Sequence, residues 1–339
     1  MTHKPHVLRI KDGRRNSEDM EERETKRMAI RIKKAFFRIE TARKITQFCC
    51  FLLFNAVIFG LGPWPVLLPI IGTLGVPQKT VGEAFGALQL MLFELMIPLL
   101  ALASFILTAT IVSRSLCGWV CPFGFVQDLL GYVKRRHTQV SLRTHNFMTQ
   151  VKYVVLAIVL FISVTISISL AAGTGQSYSQ ALGIFAKAPF NALSPADTLF
   201  AVLPRIIFDV RYAIPTLLET PDAAGAAING LSSVPLLLWV RLAIMVGIIV
   251  LAVYIPRSWC RYFCPNGALM GFLSRFGFLG LKRDPVKCTK ATCRSCVEVC
   301  PTLVPILDLP WEKFNHPDCI YCLKCVDACS TKAIKPKFP

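Results

Sequence analysis

Fourteen cysteines are the residues of this 339-residue chain that could do chemistry, and twelve of them fall into four tight groups. In the last group, Cys319, Cys322 and Cys325 are separated by two residues each, and Cys329 follows three residues further on. Such spacings wrap a loop around three corners of an iron–sulfur cluster, while the more distant fourth cysteine reaches a neighbouring cluster. This group therefore predicts 4Fe–4S chemistry.

The group upstream completes a two-cluster pattern. It has the same spacing except that its first gap is four residues instead of two, and Pro301 follows its last cysteine. In two-cluster ferredoxins each cluster takes three cysteines from one group and the last cysteine of the other. The predicted ligand sets are Cys288, Cys293, Cys296 and Cys329 for cluster 1, and Cys319, Cys322, Cys325 and Cys300 for cluster 2. Cysteine pairs also bind zinc, but eight thiolates in this crossed order favour iron–sulfur clusters.

Two more cysteine pairs lie at the ends of apolar stretches. Cys117 and Cys121 are four residues apart, as are Cys260 and Cys264, and each pair is followed by a proline. On a helix, both sulfurs of a pair would lie on one face. Three interpretations stay open: an additional metal or redox centre formed by all four cysteines, a redox-active dithiol pair, and simple packing of small residues.

The peptides around these pairs are copies of one another. Residues 115–124 read SLCGWVCPFG and residues 258–267 read SWCRYFCPNG. Each copy follows a pair of apolar stretches. This repeat predicts two two-span units that are related by a pseudo-twofold axis along the membrane normal.

Four apolar stretches must position these peptides. They cover approximately residues 48–71, 85–112, 153–172 and 235–255, and each is close to the ~20 residues that cross a bilayer as a helix. The composition, 54% hydrophobic and 17% charged, agrees with such a bundle. We predict an α-helical integral membrane protein with four transmembrane helices over residues 48–284. A bacterial two-cluster ferredoxin-like α+β domain follows over residues 285–339.

The positive charges indicate the orientation in the membrane. Lys and Arg number 38 against 20 Asp and Glu, and 33 of the 38 lie within residues 1–47, 114–152 and 257–339. Cytoplasmic loops carry such an excess of cations. We therefore predict a basic cytoplasmic tail over residues 1–47, a cytoplasmic ferredoxin domain, and an external loop over residues 173–234. The charge then reflects multi-pass insertion in the cytoplasmic (inner) membrane and contact with lipid, and not binding of nucleic acid.

A few polar residues stand out in the apolar stretches. Glu94 is a candidate acceptor of a proton from quinol, although a purely structural role is equally open. Arg241 is expected to extend to the outer interface. Cys49 and Cys50 lack a ligand spacing, and we expect them to be small buried hydrophobic residues.

The combination of four spans, two Cys-x3-Cys-Pro peptides and a two-cluster tail resembles the NapH-type membrane ferredoxins, across residues 43–335. That family is the quinol-dehydrogenase membrane component of periplasmic nitrate reductase systems and is related to the membrane part of NosR-type proteins. The resemblance implies electron transfer between the quinone pool and partner redox proteins, through clusters on the eight tail cysteines. Ferredoxin-type or cytochrome partners are then expected.

Our hypothesis is therefore a membrane-bound electron-transfer subunit of a quinol dehydrogenase, in an anaerobic or periplasmic respiratory chain. Its cofactors would be two 4Fe–4S clusters, with quinone or quinol as substrate. Two other classes of function stay open. An accessory protein for metal reduction or cofactor assembly, resembling the membrane ferredoxins that reduce copper during oxidase maturation, would bind a soft metal ion at the membrane-edge cysteines. A structural anchor for a partner dehydrogenase would need no redox centre.

Overall fold

The computed structural model describes residues 39–54, 67–70, 82–134, 140–203, 236–289 and 293–338. These residues are mostly helical and include two small sheets of two strands each. The α-helices are residues 39–54 (α1), Ala84–Phe93 (α2), Leu99–Val112 (α3), Ser115–Trp119 (α4), Pro122–Leu130 (α5), Leu142–Ala171 (α6), Gly175–Leu182 (α7), Ile184–Lys187 (α8), Pro189–Leu193 (α9), Pro195–Asp197 (α10), Leu236–Tyr254 (α11), Pro265–Leu273 (α12), Ser295–Glu298 (α13) and Lys324–Ala328 (α14). The strands are Leu67–Leu68 (β1), Gly82–Glu83 (β2), Gly280–Arg283 (β3) and Ile334–Lys337 (β4). Short π-helical turns occupy Thr198–Val202 and Trp259–Phe263, and 3₁₀ turns occupy Ser274–Phe276 and Ile306–Asp308.

Within the described residues, two helices are long and apolar enough to cross a membrane. They are Arg143–Ala171, within α6, and the whole of α11, with mean hydropathies of 2.8 and 2.7. At 1.5 Å per residue, the 30 residues of α6 extend for about 45 Å. Only 17% of the most apolar window of each helix is buried inside the protein, so their apolar side chains face outward. Length and outward apolar faces together indicate a membrane protein.

The second predicted span is not one helix. α2 ends at Phe93 and α3 begins at Leu99, and Leu95 between them has a left-handed φ of 58°. Pro98 cannot continue α2, because its ring removes a backbone N–H and disfavours helical angles in the residue before it. Four continuous spans are therefore not confirmed, since α2 and α3 are apolar helices of only 10 and 14 residues.

The first predicted span, 48–71, is described only at its two ends. Residues up to 54 belong to α1, whereas Leu67–Leu68 form β1, which pairs in parallel with β2. The intervening residues 55–66 lie outside the described part of the chain. The predicted first span was expected to be helical as far as Ile71, but the chain is already an extended strand at Leu67–Leu68. Ile70, after this strand, is buried in the core.

The beginning of the predicted external loop turns back into the molecule. Phe190, in α9, is buried in the main core, and its backbone N–H donates to Gln89 Oε1 at 3.0 Å. Asp197 pairs with Arg241 at 3.6 Å. Arg241 was expected to extend to the outer interface, but its side chain is only 12% exposed because this carboxylate satisfies its charge internally. The remainder of the loop, 204–234, lies outside the described residues.

The C-terminal part has its own sheet and core. Strands β3 and β4 pair antiparallel, with Gly280 opposite Lys337 and Arg283 opposite Ile334. β3 thus lies before residue 285, where the ferredoxin domain was predicted to begin. Its buried apolar side chains pack around the tail cysteines, so the sheet forms one wall of the cysteine-bearing domain.

Candidate functional site

Both membrane-edge cysteine peptides share the same turn into a helix at their second cysteine, although a short α-helix precedes it in the first copy and a π-helical turn in the second. Cys121 and Cys264 are the N-cap residues of α5 and α12, and the proline after each is the first helical residue. Proline suits this position because the first turn of a helix leaves its N–H groups unpaired in any case. In the second copy, the backbone N–H of Gly267 donates to Cys264 Sγ at 3.1 Å. The repeat in the sequence is therefore also a structural repeat.

The two peptides bring all four membrane-edge cysteines to one cavity. Cys117, Cys121, Cys260 and Cys264 are buried, with 5–8% exposure, and line one small cavity. Gln127 Nε2 donates to Cys260 Sγ at 3.2 Å. Four soft sulfur donors around one buried cavity are suited to a thiolate-bound metal centre. Simple packing of separated small residues, one of the three interpretations, does not require this convergence.

The thiols on the second peptide are strongly desolvated. Burial raises the pKa of Cys260 and of Cys264, and the neighbouring cysteines raise it further for Cys264. Thiolates in such a place need positive charge close by, from a metal or from basic side chains. Among the described residues, no three Cys, His, Asp or Glu side chains are arranged to hold a single metal ion.

Two buried arginines hold the cysteine peptides. Arg257 Nη1 donates to the carbonyl oxygen of Cys117 at 2.7 Å, and Arg114 Nη2 donates to that of Cys260 at 3.3 Å. Both arginine side chains are no more than 1% exposed. Neither arginine was among the predicted site residues, although each precedes the first cysteine of its own repeat by three residues.

Asp128 anchors one of these arginines. Arg257 Nε and Nη2 donate to its two carboxylate oxygens at 2.7 and 2.6 Å, and Arg43 pairs with it at 3.2 Å. Burial alone would raise the pKa of Asp128, but the charge and hydrogen bonds of Arg257 outweigh burial and lower that pKa to about 2. The carboxylate therefore stays ionised, and the bidentate pairing fixes the plane of the guanidinium.

Asp318, in the tail, anchors the other arginine. It pairs with Lys152 of α6 and with Arg114, whose Nη1 is 3.7 Å from Asp318 Oδ1. Arg114 Nη1 also donates to the carbonyl of Pro317. Burial opposes ionisation, but Lys152 and Arg114 together hold the pKa of Asp318 below its usual value. These contacts attach the cysteine-bearing tail to the helical part of the protein.

The tail cysteines lie near one another in the fold. Cys296 interacts electrostatically with Cys288, Cys293 and Cys329, and burial followed by these neighbours raises its pKa to about 11. The charge of Cys300 acts on the three cysteines Cys319, Cys322 and Cys325, each of which has its pKa raised mainly by burial. Cys296 also acts on Cys325, and the assignment of each cysteine to one of two clusters stays a prediction.

The membrane-edge site and the tail are in direct contact. Cys117, Ile320 and Cys322 form one buried apolar cluster. Trp119 Nε1 donates to the carbonyl of Tyr321 at 2.9 Å, and a Cβ on Gly118 would collide with the carbonyl of Ile320. The membrane-edge cysteines and Cys322 of the tail therefore lie next to one another.

Other residues singled out in the sequence lie elsewhere. Glu94 is exposed where the chain leaves α2, and it is not among the residues that line the cavity of the four cysteines. Cys49 is exposed, in contrast to our expectation that it is buried, because it lies on the outer face of α1. Cys50 is half-buried and packs against the main core.

Comparisons with known proteins agree with cluster binding. A family profile described as a 4Fe-4S binding domain matches the chain twice, at residues 93–139 and 237–284. Each match contains one of the membrane-edge cysteine pairs. The repeat is therefore a repeat of an iron–sulfur domain.

Several relatives are named electron-transfer or regulatory proteins. YccM of Escherichia coli is 25% identical over 80% of this chain and 61% of its own length. The ferredoxin-type protein NapH of Haemophilus influenzae is 24% identical over 67% of this chain and 63% of its own length. The regulatory protein NosR of Stutzerimonas stutzeri is 22% identical over 62% of this chain and 22% of its own length. The chain thus spans less than two thirds of each of these relatives. No solved structure matches it.

A duplicated 4Fe–4S binding domain joined to a cysteine-rich tail defines a ferredoxin-type iron–sulfur protein. Within that class, the chain is similar to the ferredoxin-type protein NapH and to the regulatory protein NosR.

Proposed function

We propose that this protein links the quinone pool to partner redox proteins of an anaerobic or periplasmic respiratory chain. The observation that carries the proposal is the contact of Cys117 with Cys322 through Ile320. It joins a cysteine site at the end of the apolar helices to the cysteines of the tail. Electron transfer within a protein requires redox sites that lie close together, and this contact provides that continuity.

The eight tail cysteines are the proposed ligands of two 4Fe–4S clusters. Cys288, Cys293, Cys296 and Cys329 would hold one cluster, and Cys319, Cys322, Cys325 and Cys300 would hold the other. Backbone N–H groups support this assignment: that of Val304 donates to Cys300 Sγ at 3.4 Å and that of Ala333 to Cys329 Sγ at 3.2 Å. Such hydrogen bonds stabilise negatively charged sulfur.

The four membrane-edge cysteines are the proposed ligands of a third centre. They fit a thiolate-bound group because they are buried, converge on one cavity and belong to two copies of a 4Fe–4S binding domain. A bound cluster would supply one-electron redox chemistry. The surrounding protein supplies exclusion of water, through Ile70, Phe123 and Trp259 in the walls of the cavity.

We also propose a four-pass topology with a cytoplasmic tail domain. The segment that begins at residue 48 within α1, the broken pair α2–α3, α6 and α11 would be the four membrane segments. The excess of Lys and Arg in residues 1–47, 114–152 and 257–339 supports the orientation. The break between α2 and α3 is compatible with a membrane segment only where neighbouring protein or polar side chains satisfy the backbone.

Glu94 is the proposed acceptor of the proton released when quinol is oxidised. Its carboxyl group is exposed at the break between α2 and α3, among exposed apolar side chains such as Met96 and Ile97. This exposure supports access from the lipid. An ionisable group in such surroundings is a candidate for proton transfer.

Reduction by quinol tests the proposal. Protein purified without oxygen and reconstituted in liposomes is mixed with a water-insoluble quinol analogue, and reduced clusters are detected by EPR. We expect reduction by the quinol, about twelve iron atoms per chain, and slower reduction by quinol but not by dithionite in Glu94→Gln. Clusters that dithionite reduces and quinol never does would contradict the link to the quinone pool.

A role in copper handling is the alternative that the same material tests. The convergence of four soft thiols at a buried site is the observation in its favour. Metal analysis would then find about eight iron atoms per chain together with copper that is lost from Cys117→Ser. Iron without copper, with a loss of about four iron atoms in Cys117→Ser, would rule out this alternative.

A further inference from the structure

The two arginines of the membrane-edge site occupy equivalent positions in the repeat. Arg114 and Arg257 each stand three residues before the first cysteine of their peptide, and a serine follows each of them. The full repeated pattern is Arg-Ser-x-Cys-x3-Cys-Pro-x-Gly. The arginine and glycine of this pattern neither favour helix formation nor add to the apolar core. Their presence in both copies therefore indicates a different structural role.

Each arginine binds the cysteine peptide of the other repeat. Arg257 donates to the carbonyl oxygens of Cys117, at 2.7 Å, and Gly118, at 3.4 Å. Arg114 donates to the carbonyl oxygen of Cys260 at 3.3 Å. These hydrogen bonds between the repeats run in both directions, and they hold the two halves of the four-cysteine site together.

The repeated glycines make room for these arginines. A Cβ on Gly267 would lie 2.8 Å from Arg114 Nη2, which is closer than side chains tolerate. A Cβ on Gly124 would lie 3.0 Å from the Cys117 carbonyl oxygen, and 3.7 Å from Arg257 Nη1. The arginine of the opposite repeat therefore requires glycine at position 267, whereas glycine at position 124 avoids the Cys117 carbonyl of its own repeat.

The buried charges around the site do not cancel. Arg257 and Arg43 share one carboxylate, Asp128, while Arg114 and Lys152 share Asp318. Four cations against two carboxylates leave a net charge of +2. The four cationic side chains are no more than 1% exposed.

Part of this positive charge faces the cysteines. Arg114 lines the cavity of the four cysteines. It interacts electrostatically with Cys117, Cys264 and Cys260. Its buried Nε has no hydrogen-bond partner among the described residues. An uncompensated buried charge costs several kcal/mol. An anionic group in the cavity would offset that cost.

We propose that the membrane-edge site holds an anionic tetrathiolate iron–sulfur centre, and that Arg114 and Arg257 set its reduction potential. Four thiolates contribute −4, so a centre with an oxidised iron–sulfur core of +2 would keep a net negative charge that the buried cations offset. Arg261, in the second cysteine peptide, is a further buried cation at this site. This inference rests on the proposed function, which places a redox centre at these cysteines.

The arginines act through their positive charge, so their removal should change the reduction potential of the centre in a known direction. Reduction adds one negative charge to the centre, and nearby cations stabilise the reduced form. Replacing Arg257 or Arg114 by glutamine is expected to shift the reduction equilibrium at least tenfold toward the oxidised form. For one electron this corresponds to a fall of about 59 mV.

An EPR-monitored redox titration of the full-length protein tests this. The membrane-edge signal is the one that Cys260→Ser abolishes, and the tail clusters serve as internal references. We expect the fall in Arg257→Gln and Arg114→Gln, recovery of most of the potential in Arg257→Lys, and no change in Arg275→Gln, which removes an exposed cation. Gly267→Ala, which displaces Arg114, should act like Arg114→Gln, while Gly247→Ala, with nothing within 4 Å of its Cβ, should not.

The outcomes separate this proposal from the proposed function. A fully loaded membrane-edge centre whose potential is the same in all arginine variants would overturn the proposal and leave electron transfer intact. Zinc bound by the four cysteines, which has no redox chemistry, would overturn both the control of potential by the arginines and electron transfer through this site. Four free thiols in protein with both tail clusters loaded would overturn both.

Discussion

Single buried charges control the geometry of the cysteine sites. Asp128 binds Arg257 and Arg43 and receives a hydrogen bond from Gln47 Nε2 at 3.2 Å, while Arg257 holds the Cys117 peptide. Because these groups are buried, each depends on its partners for the interactions that water would otherwise provide. The loss of one member is therefore expected to affect the whole group.

Asp128→Asn is expected to destabilise the protein by about 3–5 kcal/mol, because two buried arginines lose their counter-charge. Denaturant unfolding in detergent measures the change. The control is Asp284→Asn, at a half-exposed carboxylate whose ion pair with Lys287 is 3.9 Å long, and it should change stability by no more than about 0.5 kcal/mol. Equal effects of both variants would contradict the role of Asp128 as the counter-charge of the two buried arginines.

The same carboxylate predicts a dependence on pH. Its pKa of about 2 in the folded protein lies below the usual value of 3.8, so ionised Asp128 contributes stability at every pH above the unfolded value. That contribution, about 2 kcal/mol, is lost as the pH falls from about 4 toward 2. Unfolding measured along this range should show a steeper loss of stability in the wild type than in Asp128→Asn.

Individual cysteines can be tested by iron content. Cys322→Ser should lose about four iron atoms per chain, because Cys322 belongs to the crossed set with Cys300 and lies on the contact with Cys117. Cys49→Ser, at an exposed cysteine outside every group, should keep all its iron. A protein that acts only as an anchor would support respiration unchanged after the Cys322 substitution.

Short elements, and not the long helices, form the junction between the two parts of the protein. α4 carries Gly118 and Trp119 against the loop of Ile320 and Tyr321. Gly271 of α12 meets the carbonyl of Pro317, 2.6 Å from where its Cβ would be. Close approach of backbones at two glycines makes the junction precise, since any side chain there would separate the surfaces.

Gly118→Ala is expected to weaken the junction, since the added methyl group would collide with the carbonyl of Ile320. Electron transfer between the membrane-edge site and the tail should slow by at least tenfold, because the separation of Cys117 and Cys322 increases. Freeze-quench EPR after mixing with quinol measures the rate. Gly247→Ala, in an open part of α11, is the matched control, and equal rates in both variants would contradict this role of the junction.

At the level of the whole molecule, the long helices expose apolar side chains, whereas the region of the cysteines contains buried ion pairs. Exposed side chains such as Phe161, Ile168 and Val250 lie on α6 and α11. The ion pairs of Asp128 and Asp318 lie beyond the apolar parts of these helices, at the cysteine level. This arrangement is expected for a bundle in lipid with a polar domain at one end.

The proposed orientation predicts protease access to the tail. A C-terminal affinity tag should be removed by added protease in inside-out membrane vesicles and protected in right-side-out vesicles, because the tail would be cytoplasmic. Immunoblotting measures the removal, and solubilising the vesicles provides the control for cleavage. Removal only in right-side-out vesicles would reverse the proposed topology.

Iron–sulfur chemistry was predictable from the cysteine spacing, because only a few residues separate ligands of one cluster. The assignment of individual tail cysteines to two crossed sets stays a prediction, and the four membrane spans were less predictable. The break at Pro98 carried a warning in the sequence, since proline interrupts helices. The sequence contains no comparable signal for the pairing of Arg241 with Asp197, because 44 positions in the chain separate the partners. Only packing brings them together.

By itself, the sequence predicted iron–sulfur chemistry and determined the internal repeat and the apolar length of the long helices. These properties depend on residue type and on local spacing, which act along the chain. The tertiary structure alone decided that Arg257 binds the Cys117 peptide, 140 residues away, and that Cys117 and Cys322 share one buried cluster with Ile320. Buried charges require partners wherever the fold can supply them, so contacts of this kind are set by three-dimensional packing and leave only a faint pattern in the sequence.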